Sequence, residues 1–286
     1  GGVRGHGAGS RRAAARPGGL VRSGGGLTVA IVQARMGASR LPGKTLADVS
    51  GQPMLSHVVR RARQVGGVDQ VVVATSENPS DEVIVSFCKE QNIACFRGSE
   101  DDVLDRYFSA ARHFGAEVVV RVTADCPMLD PGVVDRVIDR FEGGEWDYVS
   151  NVLRCTYPDG LDTEVLGIET LERAWREATL ASDREHVTTY VQNHPTLFRL
   201  ANVENDEDLS AMRWTVDEPE DLEFVRKVFA EIRSASFGMT EVLHLLGNNP
   251  ELSEVNSGFR RNAGYLKSLH EDARRNGRSR RKEGRS

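Results

Sequence analysis

Hydrophobic residues along this chain fall into short β-branched runs, separated by stretches in which apolar positions recur at helical spacing. The runs TVAIVQA at 28–34, VVVAT at 71–75, IACF at 93–96 and VVVRV at 118–122 are typical of strands buried in a parallel sheet. Segments 53–65, 79–90, 103–111 and 131–141 show the one-sided apolar pattern of helices. This alternation predicts an α/β fold, with a mostly parallel sheet covered by helices on both faces.

The second half of the chain is more mixed. Strands are predicted at 148–152, 163–168, 197–203 and 212–216, and helices at 169–177, 183–192 and 219–232, with one or two short helices in 239–269. Ser99 is expected to cap the helix that follows it, and Asp130 the helix that begins at Pro131. Side-chain oxygens at these positions accept hydrogen bonds from the free amides of a first helical turn.

The two ends of the chain differ from the middle. Residues 1–26 are rich in Gly, Arg and Ala and contain no acid, and the last 13 residues read RRNGRSRRKEGRS. We interpret both ends as disordered basic tails. The predicted organisation is therefore a tail at 1–26, an α/β domain at 27–235, a C-terminal helical extension at 236–270 and a tail at 271–286.

Composition argues against several functional classes. A net charge of −5 gives no support to nucleic-acid binding, and no apolar run is long enough to span a bilayer. The four cysteines form no CxxC pair, which favours a reduced setting and makes a cysteine-based metal site improbable. We therefore expect a cytoplasmic protein without nucleic-acid or membrane partners.

The first candidate for chemistry is the loop after the first strand, VQARMGASRLPGKTLAD. It ends like a P-loop, but five residues separate Gly37 from Gly43 where a P-loop has four. Two glycines allow close backbone approach, and Arg35, Arg40 and Lys44 supply three cations at the carboxyl end of a strand. That combination suits a triphosphate. A solvated turn with incidental basic residues is the alternative.

Two acids are candidates for a magnesium site. Asp125 follows the buried strand VVVRV, so it faces the same edge of the sheet as the loop, and Asp130 is better placed than Asp125 to cap the next helix. Asp217, in RWTVDEPED, ends a predicted strand and opens a helix. Magnesium usually takes one or two protein carboxylates together with phosphate oxygens. Spacing alone leaves open whether Asp217 is a metal ligand or a helix cap.

Seven ordered motifs make the chain resemble the sugar cytidylyltransferases, which form CMP-activated acidic sugars, and within them the spore coat polysaccharide biosynthesis (SpsF) branch. They are VQARMGASRLPGKTLADVSGQPM, RGSEDDVLDRYFSAA, VRVTADCPMLDP, DYVSN, TYPDGLDTEVL, SDREHVT and MRWTVDEPEDLE. The resemblance covers about residues 27–235 and implies a Rossmann-like, three-layer α/β/α nucleotide-diphospho-sugar transferase fold. It also implies a nucleotidyltransferase that uses CTP, Mg²⁺ and a sugar, and a homodimer is expected because relatives are often dimers.

The resemblance assigns residues to the two substrates. Catalysis would rest on Arg35, Lys44, Asp125 and Asp217, the two acids as the metal ligands. The nucleotide would contact Ala34, Arg35, Gly37, Arg40, Gly43, Lys44, Ser99 and Arg106, and the sugar Asp159, Asp162, Glu164, Arg184 and His186. Related enzymes have Ser-Gly-Thr where this chain has Ser99-Glu100-Asp101, a departure that bears on the choice of base.

The expected reaction is attack of a sugar hydroxyl on the α-phosphorus of CTP, giving a CMP-sugar for surface polysaccharide and pyrophosphate. No general base is evident from the sequence. His186 is open to two interpretations, a structural histidine on a helix or a sugar ligand and proton carrier. The alternatives for the whole protein are a glycosyltransferase of similar fold that uses a finished nucleotide-sugar, and a non-catalytic nucleotide-binding protein.

Overall fold

The computed structural model describes residues 26–234, 236–259, 261, 264–270 and 272–274. The predicted tail at 1–26 lies outside these residues except for Gly26, and the tail at 271–286 except for 272–274. Those three residues are helical, which corrects the prediction of disorder at this point. None of the helices in the described ranges combines the length and the apolarity that crossing a membrane requires.

Seven strands form the central sheet, and a two-stranded hairpin lies beside it. The strands are β1 (Thr28–Gln33), β2 (Asp48–Val49), β3 (Gln52–Pro53), β4 (Gln70–Ser76), β5 (Ala94–Gly98), β6 (Val118–Thr123), β7 (Tyr148–Ser150), β8 (Glu164–Gly167) and β9 (Leu200–Asn202). The central order is β5-β4-β1-β6-β8-β7-β9, and β2 pairs with β3. Only β8 runs against its neighbours β6 and β7. The predicted mostly parallel sheet is therefore confirmed.

Helices pack on both faces of this sheet. The helices described are α1 (Met54–Ala62), α2 (Glu82–Glu90), α3 (Val103–His113), α4 (Pro131–Glu142), α5 (Ile168–Glu177), α6 (Ala181–His186), α7 (Thr189–Asn193), α8 (Pro219–Glu231), α9 (Met239–Asn248) and α10 (Glu251–Glu254). Residues 264–270 are also helical. The predicted three-layer α/β/α fold follows from this arrangement.

The strand side chains alternate between two cores, as the pleat of a β-strand requires. In β1, Ala30 and Val32 pack with α1 and α4, whereas Val29 and Ile31 pack with α3 and α5 on the opposite face. A third cluster joins Trp214 to α8 and α9. The predicted C-terminal extension therefore packs on the same body as the α/β domain.

Three local predictions are wrong. Residues 212–216 form no strand; Arg213 makes only an isolated bridge to Asp159. The single helix predicted at 183–192 is two helices, separated at Val187, whose φ is +64°. The cap of α3 is Asp102 rather than Ser99, because the Asp102 carboxylate accepts from the amide of Asp105. The predicted cap at Asp130 is confirmed, since Oδ1 accepts from two first-turn amides.

Candidate active site

A cavity of about 700 Å³ opens where β1 and β6 end and β8 begins. The reversal of β8 brings its first residue, Glu164, opposite Arg121 of β6, so the loop before β8 reaches the edge where the parallel strands end. Two ends of the cavity differ in charge. We name the part lined by Arg35, Arg40 and Lys44 the cationic end, and the part lined by Asp159, Asp162 and Glu164 the carboxylate end.

The loop of the cationic end is fixed by its own short-range bonds. Gly43 adopts φ +76°, a conformation that favours glycine, and donates its amide to the Met36 carbonyl at 3.1 Å. The Thr45 hydroxyl donates to the Arg35 carbonyl at 2.7 Å. The Met36 amide donates to Asp81 at 2.7 Å, which ties the loop to the end of β4. The result is a compact cradle that differs from a P-loop.

Lys44 joins the two candidate metal ligands. Its ammonium donates to Asp125 Oδ2 at 2.9 Å, to Asp217 Oδ1 at 2.8 Å and to the Val216 carbonyl at 2.7 Å. Burial lowers the pKa of Lys44, but the two carboxylates more than offset this and raise it. Burial likewise raises the pKa of Asp125, and Lys44 reverses the shift, bringing it to about 2. Two acids 92 positions apart thus share one cation.

The alternative role of Asp217 as a helix cap is excluded. Glu218 is the cap of α8, in a capping box with Asp221. Asp221 accepts from the amides of Asp217 and Glu218 at 2.9 Å each, so the Asp217 carboxylate stays available to the cavity. The Val216 amide donates to the Asp125 carbonyl at 2.9 Å, which holds the two segments side by side.

Arg213, which sequence analysis did not select, holds three acids of the site in place. Its guanidinium bonds Asp221 at 2.8 Å, Asp159 at 3.1 Å and Asp217 at 3.2 Å. Only 7% of its side chain is exposed, and Asp221 is fully buried. A single buried cation therefore fixes both Asp217, which binds Lys44 at the cationic end, and Asp159 at the carboxylate end.

The carboxylate end is held by two more arginines. Arg121 pairs with Glu164 at 2.8 Å. The second is Arg261, which lies in the stretch after α10 that we call the C-terminal segment. It donates to the Tyr157 carbonyl at 3.0 Å and to Asp162. Burial raises the pKa of Asp162 to about 7 in spite of Arg261. The predicted sugar-side residues Asp159, Asp162 and Glu164 lie together here, as does His186 at the end of α6.

Five predicted site residues do not line this cavity. Gly37 and Gly43 lie in the loop with their backbones outside it, while Ser99 accepts from the Asp102 amide and Arg106 is fully buried against the Ser99 carbonyl. Arg184 pairs with Asp102 at 2.6 Å and donates to the Trp175 carbonyl.

Several cavity residues were missed by sequence analysis. They are Arg121, Glu185, Thr188, Thr189, Gln192 and Arg213, with Tyr265, Lys267 and Ser268 from the C-terminal segment. Arg121 carried a signal, because a charged residue inside the buried run VVVRV is out of place unless it faces a partner or a cavity. Arg213 lies in a predicted strand, and the others lie on segments whose spacing predicts helix and gives no sign of a cavity.

Comparison with known proteins agrees with the geometry. The cytidylyltransferase family model matches residues 29–249. The spore coat polysaccharide biosynthesis protein SpsF of Bacillus subtilis is 33% identical over 231 residues, covering 77% of this chain and 94% of that protein. An uncharacterized protein of Methanocaldococcus jannaschii is 31% identical, covering 81% and 95%. A 3-deoxy-manno-octulosonate cytidylyltransferase of Anaeromyxobacter is 40% identical over 116 residues, covering 40% and 47%.

Solved structures share the fold. A cytidylyltransferase from Leptospira borgpetersenii superposes with a TM-score of 0.77 at 28% identity, covering 82% of this chain and 99% of that one. A CMP:2-keto-3-deoxy-manno-octonic acid synthetase complexed with CTP gives a TM-score of 0.57 at 20% identity, covering 72% and 99%, which is a likeness of fold. Because the family match spans most of the chain and includes both acids and the cationic loop, the chain belongs to the cytidylyltransferase family and is a nucleotidyltransferase.

Proposed function

We propose that the protein transfers CMP from CTP to a hydroxyl group of a sugar and releases pyrophosphate, with Mg²⁺ as cofactor. The observation that carries this proposal is the convergence of Asp125 and Asp217 on the ammonium of Lys44 beside the loop that holds Arg35. A cation shared by two acids, next to several further cations, is the charge pattern that a metal–triphosphate complex requires.

The cationic end would receive the phosphates. Arg35 and Arg40 line the cavity beside Lys44, and Arg40 is 40% exposed, so its guanidinium is accessible to a ligand. Nucleotidyl transfer depends on positioning and on neutralising charge that builds up on phosphate oxygens. These three side chains provide both, because each is fixed on a loop that is bonded at several points.

The acids fit a divalent ion. Two carboxylate oxygens lie within 2.9 Å of the Lys44 nitrogen, so the donor set already suits a cation. Within the described ranges, no group of three or more His, Cys, Asp or Glu side chains forms a metal site, so further ligands would come from the nucleotide and water. Bound Mg²⁺ would neutralise phosphate charge and lower the pKa of a nearby hydroxyl.

The sugar and the pathway come from the relatives. One is named for 3-deoxy-manno-octulosonate, an acidic sugar, and another for spore coat polysaccharide biosynthesis. We therefore propose an acidic or related sugar as the acceptor and surface polysaccharide as the destination. Asp159, Asp162, Glu164 and His186 would bind the sugar, because they line the same cavity as the cationic loop residues and Asp125.

The test is pyrophosphate release from the purified protein, with each NTP, Mg²⁺ and a panel of sugars. CTP with one acidic sugar is expected to be the active combination. Asp125→Asn and Asp217→Asn should each lower kcat about a hundredfold or more, roughly 3 kcal/mol of lost transition-state stabilisation. Glu145→Gln is the control, because that side chain is 93% exposed and outside the cavity.

Two results would contradict the proposal. Full turnover in both Asp variants would exclude the metal assignment. Release of a nucleoside mono- or diphosphate from a finished nucleotide-sugar, without pyrophosphate formation from CTP, would favour the glycosyltransferase alternative instead.

A further inference from the structure

A strained turn follows His186. Val187 has φ +64° and ψ −56°, and the Thr188 amide donates to the His186 carbonyl at 2.7 Å. These values describe a γ-turn with positive φ, a rare and costly conformation for a β-branched residue. Val187 is 1% exposed, so its side chain is held by the core. Strain of this kind collects at functional sites.

Ser268 determines which nitrogen of His186 carries the proton. The Ser268 hydroxyl donates to Glu185 Oε2 at 2.7 Å, and its oxygen lies 3.1 Å from His186 Nε2. The Ser268 oxygen also lies 3.2 Å from the Gly264 carbonyl, which can only accept. A hydroxyl has one proton, and with Glu185 and this carbonyl both as acceptors, Nε2 must be the donor in its bond to Ser268. His186 is therefore held in the Nε2–H form, with the lone pair on Nδ1. In the part of the chain that the structure describes, no hydrogen bond to Nδ1 is present.

The surroundings keep this ring neutral. Burial is the main cause that lowers the pKa of His186, with Arg121 and Arg35 lowering it and Glu185 and Glu164 raising it. Tyr265 packs edge-on against the ring at 5.2 Å between centroids. The charged or titratable groups around His186 thus come from five elements. They are Glu185 of its own helix, Arg121 of β6, Glu164 of β8, Arg35 of the loop after β1 and Tyr265 of the C-terminal segment. At neutral pH the Nδ1 lone pair is free, and His186 lines the same cavity as Asp125.

We propose that Nδ1 of His186 accepts the proton of the attacking sugar hydroxyl, and that Ser268 and Glu185 are the positioning residues that hold the ring in this form. The inference rests on the proposed function. The hydroxyl oxygen forms a bond to the α-phosphorus, the bond from that phosphorus to the pyrophosphate oxygen breaks, and the hydroxyl proton moves to His186, which later releases it to solvent. Ser268 lies beyond residues 29–249, so the base would be completed by the C-terminal segment.

The first experiment needs no sugar. The full-length protein is labelled with ¹⁵N-histidine, and long-range proton–nitrogen correlations are recorded near pH 7.5. The chain has seven histidines, so the His186 signals are identified by their loss in His186→Gln. We expect a neutral ring with the proton on Nε2. In Ser268→Ala the two neutral forms should mix, whereas Ser257→Ala, an exposed serine, should change nothing.

The second experiment uses the sugar that supports pyrophosphate release. His186→Gln should lower kcat/KM about a hundredfold or more, remove the fall in rate on acidification and leave CTP affinity unchanged. Ser268→Ala should lower kcat about tenfold and alter the same acid limb. His244→Gln, on the exposed face of α9, is the control and should keep both the rate and the pH profile.

Three results overturn the inference: a proton on Nδ1, an imidazolium at pH 7.5, or a His186→Gln enzyme with normal kcat. The two proposals fail in different ways. A wild-type protein that binds no CTP and releases no pyrophosphate contradicts the proposed function itself. A wild-type protein that is active while His186 carries its proton on Nδ1 contradicts only the role of His186.

Discussion

The charged residues at each end of the cavity are close together in the chain, but the two ends differ in what holds them: the loop of the cationic end is held largely by its own short-range bonds, whereas the acids of the carboxylate end are held by arginines from distant segments. Arg35, Arg40 and Lys44 lie within ten residues of one another. The carboxylate end needs the loop before β8, and its acids are held by Arg213 and by Arg261 of the C-terminal segment. The backbone of the cationic loop is therefore fixed locally, whereas the acids of the carboxylate end have their partners only when distant parts of the chain have packed.

Because of this difference, we expect ligand affinity and the free energy of unfolding to respond to different substitutions. A local, partly exposed cation contributes to ligand binding with little effect on folding, because solvent screens its ion pairs. A buried charge held by several partners is different, because removing one partner leaves the others unpaired in a medium of low polarity. Substitution of the exposed Arg40 should thus change CTP binding, whereas substitutions at the carboxylate end should change the free energy of unfolding as well.

The largest effect is expected for Arg213→Met. The variant leaves the buried Asp221 and Asp159 without their guanidinium, so it should lose about 3–5 kcal/mol of stability. Urea unfolding followed by circular dichroism measures this loss. Arg154→Met, which removes a 76% exposed guanidinium, is the matched control. A midpoint close to wild type would remove the basis of the contrast between the two ends.

Gly160→Ala comes next. Gly160 has φ +109°, and a Cβ there would lie 2.6 Å from the Thr215 nitrogen and 2.7 Å from the Trp214 carbonyl carbon. Backbone atoms cannot move aside cheaply, so we expect a loss of roughly 3 kcal/mol. Gly37→Ala is the control at the cationic end, since nothing lies within 4 Å of its added Cβ. Equal thermal unfolding midpoints for the two variants would contradict this prediction.

A pH dependence follows from Asp162. Its pKa is about 7 in the folded protein and 3.8 in its unperturbed state, because burial disfavours the charged form. Between these two values the folded protein holds the extra proton, so stability from this group is lost as pH rises from about 4 to 7. Asp162→Asn should remove this trend. The free energy of unfolding of the variant, minus that of wild type, should increase from pH 5 to pH 8 when measured by urea unfolding. A difference that does not change with pH would refute the assignment.

The smallest effect on stability is expected for Arg40→Ala. Arg40 is 40% exposed and pairs with Asp217 at 3.1 Å and Glu218 at 2.8 Å, so its loss should cost less than about 1 kcal/mol. The KM for CTP should rise roughly fivefold, less at high salt, because the contact is screened. A large loss of stability with an unchanged KM would reverse the contrast.

The sheet could be predicted because its strands are continuous apolar runs. β1, β4 and β6 are buried on both faces, so nearly every residue must be apolar, and such runs stand out in a sequence. Lys44 and Asp125 were found for a related reason: the loop that carries Lys44 follows β1, and the segment that carries Asp125 follows β6. Asp217 could not be decided by spacing, because a carboxylate at that place serves equally well as a cap or as a ligand.

The carboxylate end was less predictable because its determinants are long-range. The apolar pattern at 212–216 suggested a strand, yet Trp214 and Val216 are buried by α8 and α9 rather than by a ladder partner. Periodicity continues through 183–192, and only tertiary contacts break the helix at Val187. Arg184, which was predicted to bind the sugar together with His186, instead pairs with Asp102, 82 positions away in the chain.

Lys44 has a consequence for the order in which ligands arrive. All three of its N–H groups have acceptors, and two of these are the acids that would hold a metal. Lys44 is therefore a built-in counter-ion for the two acids, and a divalent ion has to compete with its tethered ammonium. A triphosphate offers that ammonium a new anionic partner, so nucleotide and metal should enter together, each increasing the affinity for the other by the same factor.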